Sequence, residues 1–307
     1  MKDKDIISAY DFRKEDFLRL FKEAKVFERK KPLRIAEDRI MITVFLEPST
    51  RTRLSFTGAM LNLGGKVMDF GTIEASSLMK GESFEDTIRM LDGYDPDVIV
   101  LRHKVEGSAK IAADISKHPV INGGDGTREH PTQALTDLYT MAKTFGRIDG
   151  LKIGLLGDLK HGRTLPSLSY ALSMFNDIKL YCIAPQTLQM KQEVLDKING
   201  KIECRSLNSL DDLTEEIDVL YVTRVQKERF TDPQEYEKAK GSYIISLKSL
   251  SKLKKIPIIM HPLPRVDEIT TEVDSLPQAK YFEQAANGMY VRMALLAEVM
   301  GLKIPAK

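Results

Sequence analysis

The chain has 307 residues, of which 42% are hydrophobic and 29% charged, and this length suffices for two domains with buried cores. Its 46 lysine and arginine residues stand against 44 acidic residues, and this net charge of +2 argues against a general nucleic-acid-binding protein. The N-terminus lacks the apolar stretch of a signal peptide and no run reaches membrane-spanning length, so we expect a cytoplasmic protein without a membrane partner.

Apolar runs that predict strands alternate with helical patterns through the first half of the chain. The predicted strands cover residues 40–46, 66–70, 97–102 and 119–122. The predicted helices cover residues 13–29, 53–63, 84–91, 108–116 and 131–145. This alternation predicts a parallel sheet with helices on both of its faces.

The second half repeats the alternation after the turn at residues 146–150. Its predicted strands cover residues 151–156, 178–183, 202–205, 219–223 and 256–260. A last helix, 284–300, stops at Gly301, which is a good C-cap, and it could pack back on the first domain. We therefore predict one domain at residues 1–145, joined by 284–307, and a second domain at residues 146–283.

The turn after the first predicted strand is rich in hydroxyl groups and arginine. Residues 47–53 read Glu-Pro-Ser-Thr-Arg-Thr-Arg and lead into a helix, whose first amides and dipole attract an anion. Ser49, Thr50 and Thr52 add neutral donors, and the Arg51 guanidinium can bind a phosphate through two hydrogen bonds. The segment is neither a Walker A loop nor a dinucleotide-binding turn. It predicts a phosphate site, with a capped helix and two surface arginines as the alternative.

Polar residues also follow the later strands of the first half. Arg102 ends one strand, and a glycine-rich turn at 123–126 leads from another strand to His130 and Gln133. These two residues are three apart at a helix start, so both can face one side of that helix. Open α/β sheets bind ligands at such strand ends, which favours a functional histidine over a structural one.

In the second half, arginines follow successive strands. Arg163 and Thr164 lie in the segment after the strand at 151–156, Arg224 and Gln226 follow the strand at 219–223, and Arg265 ends the run His-Pro-Leu-Pro-Arg. Several strand-end arginines indicate a substrate with more than one carboxylate, with surface arginines as the alternative. Gly154 to Gly157 resembles a dinucleotide turn only weakly, because it lacks the third glycine and the acidic residue for a ribose. The loop at 76–83, which contains Lys80, reads alone as mobile and solvated.

Together these motifs closely resemble the aspartate carbamoyltransferase family, over nearly the whole chain from Phe45 to Met300. Ser-Thr-Arg-Thr-Arg at 49–53 and His-Pro-Thr-Gln at 130–133 are the signatures shared by carbamoyltransferases. Ornithine carbamoyltransferases are similar in the first half, but they typically carry a cysteine after the histidine of the last motif. This chain has Pro262 there, and its arginines would repel ornithine. The resemblance therefore favours aspartate as the second substrate.

The resemblance implies an α/β fold of two doubly wound parallel-sheet domains of similar size, linked by two interdomain helices. The first domain would bind carbamoyl phosphate and the second aspartate. The implied reaction transfers the carbamoyl group to the α-amino group of L-aspartate, releases phosphate and stands early in de novo pyrimidine biosynthesis. The resemblance implies neither a metal nor an organic cofactor, and no side-chain nucleophile.

The resemblance also implies roles for individual residues in carbamoyl phosphate binding. The residues that would hold the phosphate are Ser49, Thr50, Arg51, Thr52 and Ser76. Those that would donate to the carbonyl oxygen, where negative charge grows, are Thr52, Arg102 and His130. Arg51 joins these three in the implied catalytic set. The carbamoyl NH2 would be oriented by Gln133 and by the backbone carbonyls of Leu263 and Pro264, whose peptide bond is expected to be cis. The residues that would bind the carboxylates of aspartate are Lys80, Arg163, Thr164, Arg224 and Gln226.

The same resemblance implies an assembly. The loop that contains Lys80 would reach the active site of a neighbouring subunit, so a homotrimer with shared sites is expected. Some members have two lysines before the glycine, whereas this chain has Met79 and Lys80, and either Ser76 or Ser77 could contact the phosphate. The segments 225–229 and 261–269 resemble members that assemble with zinc-bearing regulatory chains, which we expect as partners.

Two alternative functions, from other classes of protein, fit the sequence less well. A non-catalytic subunit that only binds anions would be expected to lack some of Arg51, Arg102, His130 and Arg224, and all four are present. A nucleotide- or nucleic-acid-binding protein conflicts with the balanced charge and the incomplete glycine motif. The chain has only two cysteines, Cys182 and Cys204, which argues against a disulfide framework or a structural zinc site in this chain.

Overall fold

The computed structural model describes residues 1–30, 32–71, 77–225 and 243–304, and the chain forms two compact units. One unit consists of Met1–Thr136 with Ala286–Lys307, and the other of Asp137–Ala285. Both divisions fall inside a helix, so two helices run from one unit into the other. The sequence predicts the boundary between its two domains at the turn 146–150, and this boundary stays a prediction.

The first unit contains a four-stranded parallel sheet. Its strands are β1 (Ile40–Phe45), β2 (Lys66–Asp69), β3 (Val98–His103) and β4 (Val120–Asp125), in the order β2-β1-β3-β4. The helices that alternate with them are α1 (Lys14–Arg29), α2 (Thr50–Asn62), α3 (Phe84–Asp92), α4 (Ser108–Ile115) and α5 (Pro131–Phe145). The central strands β1 and β3 are buried over nearly their whole length, as in parallel sheets that helices cover.

The second unit contains a five-stranded parallel sheet. Its strands are β5 (Lys152–Leu156), β6 (Lys179–Ile183), β7 (Glu203–Leu207), β8 (Val219–Val222) and β9 (Ile258–Met260), in the order β7-β6-β5-β8-β9. The helices that follow α5 in the described ranges are α6 (Thr164–Leu172), α7 (Gln192–Ile198), α8 (Leu247–Leu250) and α9 (Tyr281–Val299). Among all described residues, no helix combines the length and apolar character needed to cross a membrane.

The two parallel sheets confirm the predicted α/β class, and several element bounds are corrected. The last helix begins at Tyr281 rather than at residue 284. Helix α2 begins at Thr50 rather than Arg53, so the hydroxyl-rich motif forms its first turn. Strand β4 continues to Asp125, whereas the sequence predicted a turn at 123–126. A Cβ on Gly123 would lie 3.3 Å from the Leu101 carbonyl oxygen and 3.6 Å from Thr52 Cγ2. This glycine therefore permits a close approach between neighbouring segments rather than a turn.

Each sheet has one point where the strand order reverses. In the first unit the chain moves outward from β1 to β2 and then returns to β3 on the other side of β1. In the second unit it moves outward from β5 through β6 to β7 and returns to β8 beside β5. Ligands of open α/β sheets bind beyond the carboxyl ends of the strands at such switch points. We therefore expect ligands to bind at the segments after β1 and β3, and at those after β5 and β8.

Candidate active site

The turn after β1 prepares an anion site at the start of α2. Ser49 is the N-cap residue, with an extended backbone (φ −158°), and the helix begins at Thr50. In the part of the chain that the structure describes, the Ser49 side chain accepts no capping hydrogen bond from the backbone amides of α2. The first amides of α2 are thus not capped by that hydroxyl, and helix N-termini of this kind bind phosphate. Arg51 is exposed at the same turn, and Arg53 forms an ion pair with Asp69.

Thr52 and His130 meet although 78 residues separate them. Thr52 Oγ1 lies 3.3 Å from His130 Nε2, and the two residues are only 6% and 4% exposed. One comes from the first turn of α2 and the other directly precedes α5. Two neighbouring buried donors of this kind can stabilise one oxygen atom on which negative charge develops.

Arg102 brings a positive charge to the same switch point. It lies at the end of β3 and is almost completely buried. Its Nη1 donates a hydrogen bond of 3.1 Å to the Gly123 carbonyl oxygen, and its Nε lies 3.2 Å from Glu47 Oε2. The guanidinium is therefore held between the turn after β1 and the end of β4.

The end of β4 is in turn fixed by two buried side chains. Asn122 Oδ1 accepts a hydrogen bond of 2.7 Å from the Gly124 amide, and Asn122 Nδ2 donates one of 3.1 Å to Asp125 Oδ1. Burial raises the pKa of Asp125, although hydrogen bonds from Gly107, Asn122 and Glu129 act in the opposite direction. This network fixes the glycine-containing strand on which Arg102 rests.

Behind His130 lies a chain of residues that sequence reasoning did not identify. Thr132 Oγ1 is 3.5 Å from His130 Nδ1, and Arg292 Nη2 donates to Thr132 Oγ1 at 3.5 Å. The Arg292 guanidinium lies over the Phe56 ring, 5.1 Å from its centroid. The sequence shows Arg292 only as an arginine within the apolar run of the last helix. Its contacts with Thr132 and Phe56 cannot be recognised from the sequence, because these residues are far away along the chain.

The loop before α3 is described only in part. Ser77–Lys80 forms a short 3₁₀ turn, and the side chains of Met79 and Lys80 are exposed. Ser76 lies outside the described residues, so the choice between Ser76 and Ser77 as a phosphate contact stays a prediction. Gln133 is half-buried in the first turn of α5, where its backbone amide donates a hydrogen bond of 2.9 Å to the His130 carbonyl oxygen.

The second switch point carries Arg163 and Arg224. The backbone after β5 passes so close to the end of β8 that a Cβ on Gly157 (φ +116°) would lie 2.1 Å from the Thr223 carbonyl oxygen. Arg163 is the N-cap residue of α6, and Arg224 follows Thr223 directly. Both arginines are half-buried, as expected of cations that accept a solvated ligand. Thr164 opens α6, and Gln226 lies outside the described residues.

Arg265, the third strand-end arginine, forms hydrogen bonds with side chains of its own unit. Its Nη2 donates a 2.6 Å hydrogen bond to Asp274 Oδ2, and its Nη1 contacts Asp274 and the Tyr281 hydroxyl. The hydrogen bond from Arg265, together with one that the Tyr281 hydroxyl donates to Asp274, lowers the pKa of Asp274. The expectation that all three strand-end arginines indicate a carboxylate ligand is therefore corrected, and Arg163 with Arg224 carry that argument. The Leu263–Pro264 peptide bond beside Arg265 is cis, as expected.

Two family models match the chain. The model described as "Aspartate/ornithine carbamoyltransferase, carbamoyl-P binding domain" matches residues 4–143. The model described as "Aspartate/ornithine carbamoyltransferase, Asp/Orn binding domain" matches residues 149–299.

Relatives of similar length support the same family. The aspartate carbamoyltransferase catalytic subunit of Methanocaldococcus jannaschii is 52% identical over 302 residues, with 97% of this chain and 98% of the relative covered. That of Thermococcus onnurineus is 50% identical over 306 residues, with 98% of each covered. The crystal structure of Trypanosoma cruzi aspartate transcarbamoylase with carbamoyl phosphate and aspartate has a TM-score of 0.91 and 41% identity, with 97% of each chain covered.

Proposed function

The chain belongs to the aspartate/ornithine carbamoyltransferase family, and we propose on that premise how its residues carry out the reaction. It transfers the carbamoyl group of carbamoyl phosphate to the α-amino group of L-aspartate and gives N-carbamoyl-L-aspartate and phosphate, a step of pyrimidine biosynthesis. The observation that carries this function furthest in the geometry is the buried Thr52–His130 pair beside the N-terminus of α2.

Carbamoyl phosphate binds, in our proposal, after β1 and β3. The groups that hold its phosphate are the first amides of α2 and the side chains of Ser49, Thr50, Arg51, Thr52 and Ser76. The groups that donate to its carbonyl oxygen are Thr52, Arg102 and His130. Support comes from the burial of these last three donors, because hydrogen bonds in a water-excluded site stabilise developing charge more strongly than in water. Gln133 and the carbonyls of Leu263 and Pro264 orient the carbamoyl NH2.

Aspartate binds, in our proposal, at the ends of β5 and β8. The residues that contact it are Arg163, Thr164, Arg224 and Gln226, together with Lys80. A half-buried arginine at each of two adjacent strand ends suits a dicarboxylate, since a guanidinium forms paired hydrogen bonds with a carboxylate. A cationic amino acid such as ornithine would be repelled there.

The chemistry follows from these positions. The uncharged α-amino group attacks the carbamoyl carbon, the new C–N bond forms, and the C–O bond to phosphate breaks. The departing phosphate takes the proton that the amine loses, so charge and atoms balance without a side-chain nucleophile. Alignment of the two substrates and stabilisation of the carbonyl oxygen supply the acceleration.

A homotrimer with shared active sites completes the proposal. The first unit exposes large apolar side chains that suit a subunit interface: Leu54, Leu61, Met68, Met79 and Met90. Lys80 is exposed next to Met79, as a residue that serves a neighbouring subunit must be. Mixing inactive Arg51→Ala chains with inactive Lys80→Ala chains should restore activity, because some sites then combine two intact halves. Activity that stays at zero after subunit exchange counts against shared sites.

We further propose a zinc-bearing regulatory chain as a partner and the cytoplasm as the working compartment. Val266, in the segment that resembles regulated members, is 73% exposed and is available to a partner chain. Cys182 and Cys204 are free thiols, which suits a reducing compartment. Mass measurement of the chain co-expressed with a regulatory chain distinguishes a larger assembly from trimers alone.

The domain roles and the second substrate are tested together. We propose residues 1–145 with 284–307 as the carbamoyl phosphate domain and residues 146–283 as the aspartate domain. The purified chain is assayed side by side with aspartate, ornithine and N-acetylornithine, with Arg224→Ala as the control for substrate choice. We expect the wild type to carbamoylate aspartate but neither of the other two amino acids. We expect the Arg224→Ala variant to lose this activity. Faster turnover of either other amino acid contradicts the proposal.

A further inference from the structure

His261 lies at the centre of a closed set of hydrogen bonds in the second unit. It is 1% exposed and directly follows β9. The Leu263 amide donates a hydrogen bond of 2.8 Å to His261 Nδ1, so that ring nitrogen carries no proton. The proton is therefore on Nε2, which lies 2.7 Å from Glu268 Oε1 and donates to it.

Glu268 holds the histidine in this tautomer. Its second carboxylate oxygen accepts hydrogen bonds from the Val266 and Asp267 amides, at 3.0 Å and 3.1 Å. Burial acts to raise the pKa of Glu268, but the hydrogen bonds from His261 and from backbone amides outweigh it, and the pKa is lowered. The carboxylate is thus ionised at neutral pH and keeps accepting the Nε2 proton of His261.

The backbone of His261 is anchored from the other side by fully buried groups. Its amide donates to Gln284 Oε1 at 2.9 Å, and Gln284 Nε2 donates to Asp137 Oδ1 at 2.6 Å. The other Asp137 oxygen accepts a hydrogen bond of 2.9 Å from the Tyr221 hydroxyl. His261 is therefore connected to α9, α5 and β8, and it offers a fixed point to the segment that follows.

That segment needs a fixed point. Leu263 has φ +56°, a left-handed conformation that a leucine adopts only at a cost in free energy. Such a conformation persists where the surroundings determine it, and the hydrogen bond from the Leu263 amide to His261 fixes the peptide plane that precedes it. The directions of the Leu263 and Pro264 carbonyls depend on this plane.

We propose that His261, oriented by Glu268, is a positioning residue that aims the Leu263 and Pro264 carbonyls at the carbamoyl NH2 and so sets the affinity for carbamoyl phosphate. This role rests on the proposed function, in which those two carbonyls are the acceptors of the NH2 group. His261 itself does not touch the substrate. Its effect on the carbonyls passes through the Leu263 amide, and Glu268 contributes by orienting the ring, so the two ring nitrogens can be tested separately.

Two isosteric substitutions separate them. His261→Asn places a carbonyl oxygen near the position of Nδ1, so it keeps the acceptor for the Leu263 amide and loses the bond to Glu268. His261→Gln extends an amide toward the position of Nε2, so it keeps the bond to Glu268 and loses that acceptor. We expect His261→Gln to raise the KM for carbamoyl phosphate about tenfold or more, and His261→Asn about threefold, with the KM for aspartate little changed in both.

Stability is measured in parallel because each variant loses one buried hydrogen bond. Gln189→Met is the matched control, since it removes side-chain hydrogen bonds to the Ala184 and Leu207 carbonyl oxygens elsewhere in the unit. A merely structural role of His261 predicts that the carbamoyl phosphate KM follows the melting temperature in all three variants. The positioning role predicts that only His261→Gln departs from that relation.

The outcomes are distinct. An active wild type with equal carbamoyl phosphate KM values for His261→Asn and His261→Gln overturns the positioning role and leaves the proposed function intact. A wild type that makes no carbamoyl aspartate overturns the proposed function and this role with it. If His261→Gln fails to fold, Glu268→Gln is measured instead, and we expect its carbamoyl phosphate KM to rise about threefold. An unchanged KM in a folded Glu268→Gln enzyme also overturns the role.

Discussion

The two switch points bury their polar side chains to different degrees. Beyond β1 and β3, Thr52, Arg102 and His130 are buried and contact other groups of the same unit. Beyond β5 and β8, Arg163 and Arg224 are half-buried. Donors that are fixed in advance stabilise charge that develops during a reaction, because they need no reorganisation. Half-exposed arginines suit a charged substrate that enters and leaves. The first region should therefore govern the rate, and the second the affinity and choice of the amino acid.

The largest expected effect is on the rate and lies in the first region. His130→Ala should lower kcat by about 10²-fold, because it removes a buried donor to the oxygen on which charge develops. The KM for aspartate should change little. Steady-state kinetics with each substrate varied in turn measures both constants. A raised aspartate KM with unchanged kcat would reverse the proposed division of labour.

Thr52→Val sharpens this test, because valine keeps the shape of threonine and lacks its hydroxyl. If Thr52 and His130 act on one oxygen, their contributions are coupled, as their 3.3 Å separation suggests. The double variant should then lose less activity than the product of the two single losses. Independent, multiplicative losses would mean that the two side chains serve different atoms.

The second expected effect is on affinity and compares two arginines of the second region. Arg224→Met should raise the KM for aspartate by about 10- to 100-fold, since it removes a charge-assisted hydrogen bond to a carboxylate. Arg265→Met is the matched control, because it removes an arginine that also follows a strand of this sheet and whose guanidinium binds Asp274. It should lower the melting temperature and leave the aspartate KM near that of the wild type. Equal KM values for the two variants would contradict the assignment of Arg224.

The contrast between these arginines also shows what the sequence can predict. Strand ends are visible in the pattern of apolar runs, so the positions of Thr52, Arg102 and Arg224 at the carboxyl edges of the sheets follow from the sequence. The pattern does not show which charge pairs with which. Arg265 resembles Arg224 in sequence, and only the fold reveals its carboxylate partner, Asp274.

Contacts between distant residues account for the rest of what was missed. Arg292 reaches Thr132 across 160 positions, and no local pattern encodes that distance. The glycines at 123–126 predict a turn because glycine is common in turns, whereas the role of Gly123 depends on a close approach to Leu101 and Thr52. The sequence presents His261 only as part of a motif, since its hydrogen-bonding partners become visible only in the fold.

A third prediction compares the glycines of the two regions. Gly157→Ala should lower the free energy of unfolding by about 3 kcal/mol or more, because its Cβ would lie 2.1 Å from the Thr223 carbonyl oxygen at a φ of +116°. Gly123→Ala should cost about 1–2 kcal/mol, since its nearest contact would be 3.3 Å. Urea unfolding of both variants measures the difference. A smaller loss for Gly157→Ala would contradict the close approach of the segments after β5 and β8.

The smallest expected effect concerns pH, and it has opposite signs in the two regions. The hydrogen bonds of Glu268 outweigh its burial and lower its pKa, so its contribution to stability is present above the unfolded value of 4.5 and is lost as the pH falls through the folded pKa. Burial raises the pKa of Asp125, so its ionisation lowers stability as the pH rises from the unfolded value of 3.8 through the folded pKa.

The variants Glu268→Gln and Asp125→Asn test these opposite signs, because the free energy of unfolding of each can be compared with that of the wild type as a function of pH. The free energy of unfolding of the wild type minus that of Glu268→Gln should increase as the pH rises toward the unfolded value of 4.5 and stay level above it. The same difference for Asp125→Asn should decrease as the pH rises above the unfolded value of 3.8. Because each substitution also removes hydrogen bonds, which shifts the difference by a nearly constant amount, the sign of the slope rather than its height identifies the titrating group. Parallel slopes for the two variants would mean that the two carboxylates are not shifted in opposite directions by the fold.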